Sequence, residues 1–432
     1  MKLRGNKTLK GETNVPGDKS ISHRGIILGA ISNGVTRINN CLISQDTMST
    51  INVLMQLGVD ITVDKKNNTV TINGVGQDGL IGTNEDLYCG NSGTTMRLLA
   101  GVLCGGKFSS TLTGDESLSK RPMKRITTPL RDMGADISDK DGHPPIRINP
   151  GSINSINYKM EVSSAQVKSA ILFASLYSKG KSSIIEQHQT RNHTELMLKY
   201  FGADIHTNDH RIEINNPNVL VGRDINVPGD ISSAAFLIAA ALITEDSDIT
   251  ITQVGLNSSR TGIISVLHEM GAIITIEDLD ESNVEKSGTL NVMQSYLKGI
   301  TISGEKTVSV IDEIPILAVL GCFAEGDTII RDASELRVKE SDRLLAIYEG
   351  LTLMGGDIEL LQDGLIIHGG KKLKGASVSS KGDHRIAMAL SIAALAAEGT
   401  TVIDDIDCIS VSFPNFYNDI GQLIDNSFEI SI

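Results

Sequence analysis

Five short polar stretches of this 432-residue chain each precede a run of small apolar residues. They are Gly17-Asp18-Lys19-Ser20-Ile21-Ser22-His23-Arg24, Gly90-Asn91-Ser92-Gly93-Thr94-Thr95-Met96-Arg97, Ser163-Ser164-Ala165-Gln166-Val167-Lys168, Ile311-Asp312-Glu313-Ile314-Pro315 and Lys381-Gly382-Asp383-His384-Arg385. Each reads as the start of a helix, where unpaired N–H groups and the positive dipole end attract anions. Lys19, Arg24 and Arg385 strengthen that attraction, so the chemistry to expect is the gathering of phosphate or carboxylate groups. A sixth stretch, Leu336-Arg337-Val338-Lys339-Glu340-Ser341-Asp342-Arg343-Leu344, is dense in charge. Alone it would read as a solvated helix face. Here it stands in the lead-in of a helix of the same kind, and is expected to face the same cleft.

The elements that position these stretches repeat. Leu57-Gly58-Val59-Asp60-Ile61, Met133-Gly134-Ala135-Asp136-Ile137 and Phe201-Gly202-Ala203-Asp204-Ile205 recur as Met270-Gly271-Ala272-Ile273-Ile274, Met354-Gly355-Gly356-Asp357-Ile358 and a degenerate Ile420-Gly421-Gln422-Leu423-Ile424. In each the glycine marks a helix end turning into a strand. Upstream lie helices apolar nearly all round, Ile26 to Ile31, Met96 to Leu103, Val167 to Leu176, Ala234 to Ile243, Ile314 to Phe323 and Ile386 to Ala397, which should be buried. The strands instead alternate, as in Thr69-Val70-Thr71-Ile72, Pro145-Ile146-Arg147-Ile148 and Arg211-Ile212-Glu213-Ile214, with one wet and one dry face. Helices are expected inside and sheets outside, three units to a lobe.

The sixth unit stops at the chain end, and Lys7 to Val15 resembles the strand it lacks. The identical Asn14-Val15-Pro16-Gly17-Asp18 and Asn226-Val227-Pro228-Gly229-Asp230 then mark two crossings between lobes. The expected lobes are 16–228 and, discontinuously, 1–15 plus 229–432, with hinges near 14–18 and 226–230 able to close the lobes on substrate.

A net charge of −13 repels nucleic acid and anionic membrane surfaces, so an anionic ligand needs a local basic pocket. No apolar run reaches the roughly 18 residues of a membrane span, and the first residues lack a signal-peptide stretch, so a cytoplasmic protein is expected. Cys41, Cys89, Cys104, Cys322 and Cys408 stand singly, which fits reduced core thiols and neither a disulfide framework nor a zinc site. Gly74-Val75-Gly76-Gln77-Asp78-Gly79 matches a dinucleotide pattern, but Leu80-Ile81-Gly82-Thr83-Asn84 opens no helix to carry a pyrophosphate. His206 and His210 flank the hairpin signal Asn208-Asp209 and are not expected to bind metal.

Over essentially its whole length the chain resembles the 5-enolpyruvylshikimate-3-phosphate synthase family. Asp18-Lys19-Ser20 with Arg24, Gly90-Asn91-Ser92-Gly93-Thr94, Arg121-Pro122, Ser163-Ser164-Ala165-Gln166, Arg337 to Arg343 and Asp383-His384-Arg385 all fall in family order. The resemblance implies an α/β (α+β) fold, a two-domain inside-out barrel, each domain three repeated βαβαββ units. It also implies transfer of the enolpyruvyl group of phosphoenolpyruvate to the 5-hydroxyl of shikimate 3-phosphate. The route runs through a tetrahedral intermediate that loses phosphate, in a monomer that needs no cofactor and no metal.

By motif position the resemblance gives phosphoenolpyruvate to Lys19, Gly93, Arg121, Arg343 and Arg385. Shikimate 3-phosphate falls to Ser20, Arg24, Ser164 (or Ser163), Gln166 and Lys339, with Arg191 a further phosphate ligand. Asp312 is the expected base and Glu340 the expected acid, with Lys19 a third catalytic group; Asp312 as a helix N-cap is the alternative.

Ala165, His23 and Arg191-Asn192-His193-Thr194 resemble the divergent second branch of the family, whose members often resist glyphosate. Ahead of Ser412-Phe413-Pro414, where the better-known branch has a phosphoenolpyruvate-binding lysine, stands Val411. The nearest rival is the sister family acting on a UDP-amino sugar, which carries a loop cysteine near the region of Arg121. Here no cysteine falls between Cys104 and Cys322. A catalytically silent scaffold for anionic metabolites is a third reading.

Overall fold

A computed structural model describes residues 1–5, 7–216 and 219–424 of the chain. It has a mixed α/β fold in two compact units. The first holds Gly17–Val227 and Ser282–Glu285, the second Met1–Pro16, Pro228–Glu281 and Lys286–Ile432. The sequence assigned all of 229–432 to one lobe; residues 282–285 depart from that because Glu285 is buried against His193 Nδ1 at 2.6 Å. The expected end of the sixth unit, 425–432, lies outside the described residues.

In the first unit the helices are α1 (Lys19–Ala30), α2 (Gln45–Gln56), α3 (Gly93–Leu103), α4 (Glu116–Ser119), α5 (Lys124–Asp132), α6 (Ala165–Ser175) and α7 (His193–Tyr200). Three four-stranded sheets accompany them, each with one parallel pair followed by antiparallel ones. Strand Asn33–Asn39, for example, lies between Ile225–Asn226 and Thr69–Val75, and Asp60–Asp64 completes the sheet. Along Thr69–Val75, Val70 and Ile72 are buried while Asn73 is exposed, the one-sided burial that the alternation requires.

The second unit contains α8 (Ile231–Ile243), α9 (Gly262–Glu269), α10 (Glu305–Ser309), α11 (Ile314–Phe323), α12 (Arg343–Leu353), α13 (His384–Ala396) and α14 (Phe416–Leu423). Lys10–Asn14 pairs in parallel with Asp248–Gly255, and Lys2–Arg4 runs antiparallel to Thr400–Ile403. Among the described residues, no helix is long and apolar enough to cross a membrane.

Helices α1, α3 and α6 form the middle of one apolar cluster, and α8, α11 and α13 that of the other. The repeated five-letter turn has a purpose at each of its sites. Asp18 Oδ1 accepts from the N–H of Ile21 to cap α1, and Asp230 Oδ1 accepts from Ser232 to cap α8, each cap contributing about 1 kcal/mol. The helix-exit glycines adopt the left-handed conformation, at Gly58 with φ 89° and Gly202 with φ 104°. Gly421 departs from that pattern, lying inside α14 rather than beyond its end. Four cysteines are buried and Cys408 is half-buried; burial pushes all five thiols up to about 12.

Close helix packing sets the tolerances. A Cβ at Gly101 of α3 would lie 2.2 Å from the Ala170 carbonyl oxygen on α6. Gly101→Ala should therefore destabilise the protein by about 1–3 kcal/mol, read as a lowered midpoint in urea unfolding. His23, fully buried on α1, shares a hydrogen bond of 2.7 Å with Thr50 Oγ1 on α2, which meets Thr95 Oγ1 on α3. Burial first, then Lys19 and Arg24, hold its imidazole well below the ordinary 6.5. The folded state then binds fewer protons than the unfolded chain below pH 6.5, so stability present above that pH is lost as pH falls. His23→Gln should flatten the slope of Tm against pH in that window; an unchanged slope would assign it to other groups.

Candidate active site

In the first unit the polar ends of the buried helices converge in two linked groups. At the start of α1, Lys19 Nζ lies 3.1 Å from Asp46 Oδ2, and the backbone oxygen of Asp46 accepts from Thr95 Oγ1 at the start of α3. Arg24, 3% exposed, donates from Nε to Thr194 Oγ1 at 2.6 Å, from Nη2 to Ser169 Oγ at 2.8 Å and from Nη1 to the Ser20 carbonyl at 2.9 Å. Burial lowers its guanidinium to about 10, with Glu195 and Asp18 opposing the shift and Arg191 adding to it. The cation is thus held mostly by neutral oxygens.

The other group surrounds Gly93, the first residue of α3. A Cβ there would approach Arg97 Nη1 to 3.2 Å and Arg121 Nη1 to 3.3 Å, so the two guanidinium groups flank a bare helix start. Arg121 Nη2 donates to Asn91 Oδ1 at 2.7 Å, Arg97 Nη1 to Gln166 Oε1 at 2.5 Å, and Gln166 Nε2 to Thr94 Oγ1 at 3.0 Å. Ser164 is the N-cap residue of α6, while Ser163 Oγ accepts from the backbone of His188. Arg191 precedes Asn192, the N-cap residue of α7.

The second unit gathers Asp312, Lys339, Glu340, Arg343 and Arg385. Arg343 opens α12, capped by Asp342. Its side chain is 2% exposed and meets three carboxylates: Asp383 at 2.8 Å from Nε, Glu340 at 2.6 Å from Nη2 and Asp312 at 3.5 Å from Nη1. Burial alone would weaken this cation, but Asp383, Glu340 and Asp312 outweigh it, and its pKa rises above the ordinary arginine value. Lys339 Nζ stands 3.6 Å from Asp312 Oδ1, and Arg385 Nη1 donates to the Asp312 carbonyl at 2.8 Å. Asp312 does not cap α11; the N-cap residue there is Glu313, whose side chain makes no cap bond.

Sequence reasoning missed Arg97 and Asp46 as members of these groups, and the clamp of Asp383 on Arg343. An arginine inside an apolar helix, four residues from Gly93, was the available signal for Arg97. Val411 ends a 3-10 turn and brings no cation to the lysine position of the better-known branch. Among the described residues, no His, Cys, Asp and Glu side chains group to hold a metal ion.

This arrangement can hold several anionic groups and pairs each of two carboxylates with a cation. Residues 3–420 match the sequence profile of EPSP synthase (3-phosphoshikimate 1-carboxyvinyltransferase). The 3-phosphoshikimate 1-carboxyvinyltransferase of Oceanobacillus iheyensis is 49% identical, covering 96% of this chain and 97% of its own. That of Streptococcus gordonii is 47% identical, with 98% and 99% covered. The structure of EPSP synthase from Acinetobacter baumannii superposes with a TM-score of 0.88 at 43% identity, covering 100% of this chain and 99% of that one. The enolpyruvyl transferase NikO from Streptomyces tendae shares the fold at a TM-score of 0.80 and 16% identity, covering 98% and 97%. Matched by the family's profile over residues 3–420 and nearly end to end by relatives close to half identical, the chain belongs to the EPSP synthase (3-phosphoshikimate 1-carboxyvinyltransferase) family.

Proposed function

We propose that the protein transfers the enolpyruvyl group of phosphoenolpyruvate to the 5-hydroxyl of shikimate 3-phosphate and releases inorganic phosphate, a step of aromatic amino acid biosynthesis. The observation that carries this is the Arg343 cluster, in which one buried guanidinium touches Asp312 and Glu340 while Lys339 and Arg385 stand beside Asp312. Family membership supports it. Two phosphates and two carboxylates repel one another, and arginines and lysines supply the opposing charge.

Lys19, Gly93, Arg121, Arg343 and Arg385 hold phosphoenolpyruvate in this scheme. Ser20, Arg24, Ser163 or Ser164, Gln166, Arg191 and Lys339 hold shikimate 3-phosphate. Asp312 takes the hydroxyl proton as the oxygen bonds to C2 of phosphoenolpyruvate, and Glu340 gives a proton to C3; Lys19 assists. The tetrahedral adduct then returns a C3 proton to the Glu340 carboxylate as its C2–O bond to phosphate breaks, which restores the double bond, and the leaving phosphate carries off the proton that Asp312 took. Glu340 is paired with Arg343 Nη2 at 2.6 Å, so an arriving anion that competes for Arg343 loosens that ion pair. No metal or organic cofactor enters the scheme, and a cytoplasmic monomer is the proposed form; the singly placed cysteines, four of them buried, fit a reducing compartment.

The architecture that goes with this reading is the two-domain inside-out barrel, three βαβαββ units per domain. The recurrence of one parallel and further antiparallel pairs in sheet after sheet supports it.

Mixing the protein with both substrates should release phosphate, whereas replacing shikimate 3-phosphate by a UDP-amino sugar should release none; the opposite pattern would assign the sister activity. Asp312→Asn and Glu340→Gln should each lower kcat by about 10²–10⁴-fold with smaller changes in KM. Arg24→Ala should act mainly on the KM of shikimate 3-phosphate, and an unmoved constant would remove Arg24 from its site.

A further inference from the structure

Lys168 sits on α6, two residues past Gln166, with a side chain that has no solvent exposure. Its ammonium lies 3.0 Å from Glu186 Oε2 and 2.7 Å from Glu195 Oε1, and donates to the Thr190 carbonyl at 3.4 Å. Glu186 in turn accepts from Thr190 Oγ1. One cation therefore ties α6 to both ends of the loop that leads to Arg191 and to the first turn of α7. Next to Lys168 is Ser169, and next to Glu195 is Thr194; these two hydroxyls, 2.7 Å apart, grip the guanidinium of Arg24.

Burying an ammonium with two carboxylates is a costly way to pack a loop, since apolar side chains of similar volume do as well or better. The arrangement makes sense as charge control. Glu195 is the foremost of the negative charges acting on Arg24, and its Oε2 is buried without a hydrogen-bond partner. Glu186 lies close by, its carboxyl raised by burial. Without Lys168 the Glu195 carboxylate would lose its cation and would compete with any bound anion for the Arg24 guanidinium.

We propose that Lys168 is a positioning residue for shikimate 3-phosphate: it occupies the carboxylates of Glu186 and Glu195 and fixes Thr194 and Ser169, so that Arg24 keeps its orientation and stays available to the substrate's anionic group. This rests on the assignment of Arg24 to that substrate. Phosphate release by the wild-type protein is measured first; its failure would sink the functional assignment itself, whereas an active wild type leaves the role of Lys168 to the variants.

Lys168→Met should raise the KM of shikimate 3-phosphate about ten- to hundredfold and leave that of phosphoenolpyruvate unmoved. Adding Glu195→Gln to Lys168→Met should recover most of the loss, because it removes the competing carboxylate, an outcome that a mere packing role would not give. A folded Lys168→Met with the wild-type constant, equal rises for both substrates, or a double variant no better than the single would each overturn the proposal. If Lys168→Met does not fold, Glu195→Gln alone decides. Its shikimate 3-phosphate KM should be at or below the wild-type value, and a rise would overturn the proposal.

Discussion

Burial of whole helices is the constraint from which the rest follows. A helix surrounded by other elements must be apolar on every side, as α8, α11 and α13 are in the second unit. Polar chemistry then concentrates toward its N-terminal end, where backbone N–H groups lack partners and the dipole is positive. Lys19, Gly93 and Gln166 all occupy the first turn of such helices in the first unit, and Arg385 does so in the second. Fold and the placement of charge are in this sense one solution, because the same turns that let the helices enter the core collect the charged side chains.

The buried arginines divide by what surrounds them. Arg24 is held by two hydroxyls and a carbonyl, and burial leaves its guanidinium weakened to about 10. Arg343 is held by three carboxylates and its charge is reinforced. The first kind is only lightly neutralised by the groups it touches, whereas the second is neutralised where it stands.

Much of this organisation was legible in the chain. The glycine exits at Gly58, Gly134, Gly202, Gly271 and Gly355 were visible because only a residue without Cβ takes their left-handed backbone at little cost. Gly421 shared the letters but not the conformation, as α14 continues through it. What escaped were pairings that join distant segments. Arg97 gains its meaning from Gln166 and Arg121, and Lys168 from Glu186 and Glu195, contacts that no local pattern encodes. The brief passage of Ser282–Glu285 into the first unit escaped for the same reason: a buried carboxylate meeting an imidazole 92 positions earlier leaves no periodicity to read.

The thiols carry a consequence of another kind. Burial pushes all five thiols up to about 12, which at neutral pH disfavours the thiolate that an alkylating agent or an oxidant attacks. An electrophile aimed at sulfur meets a protonated thiol, rather than a thiolate, at each of the five positions.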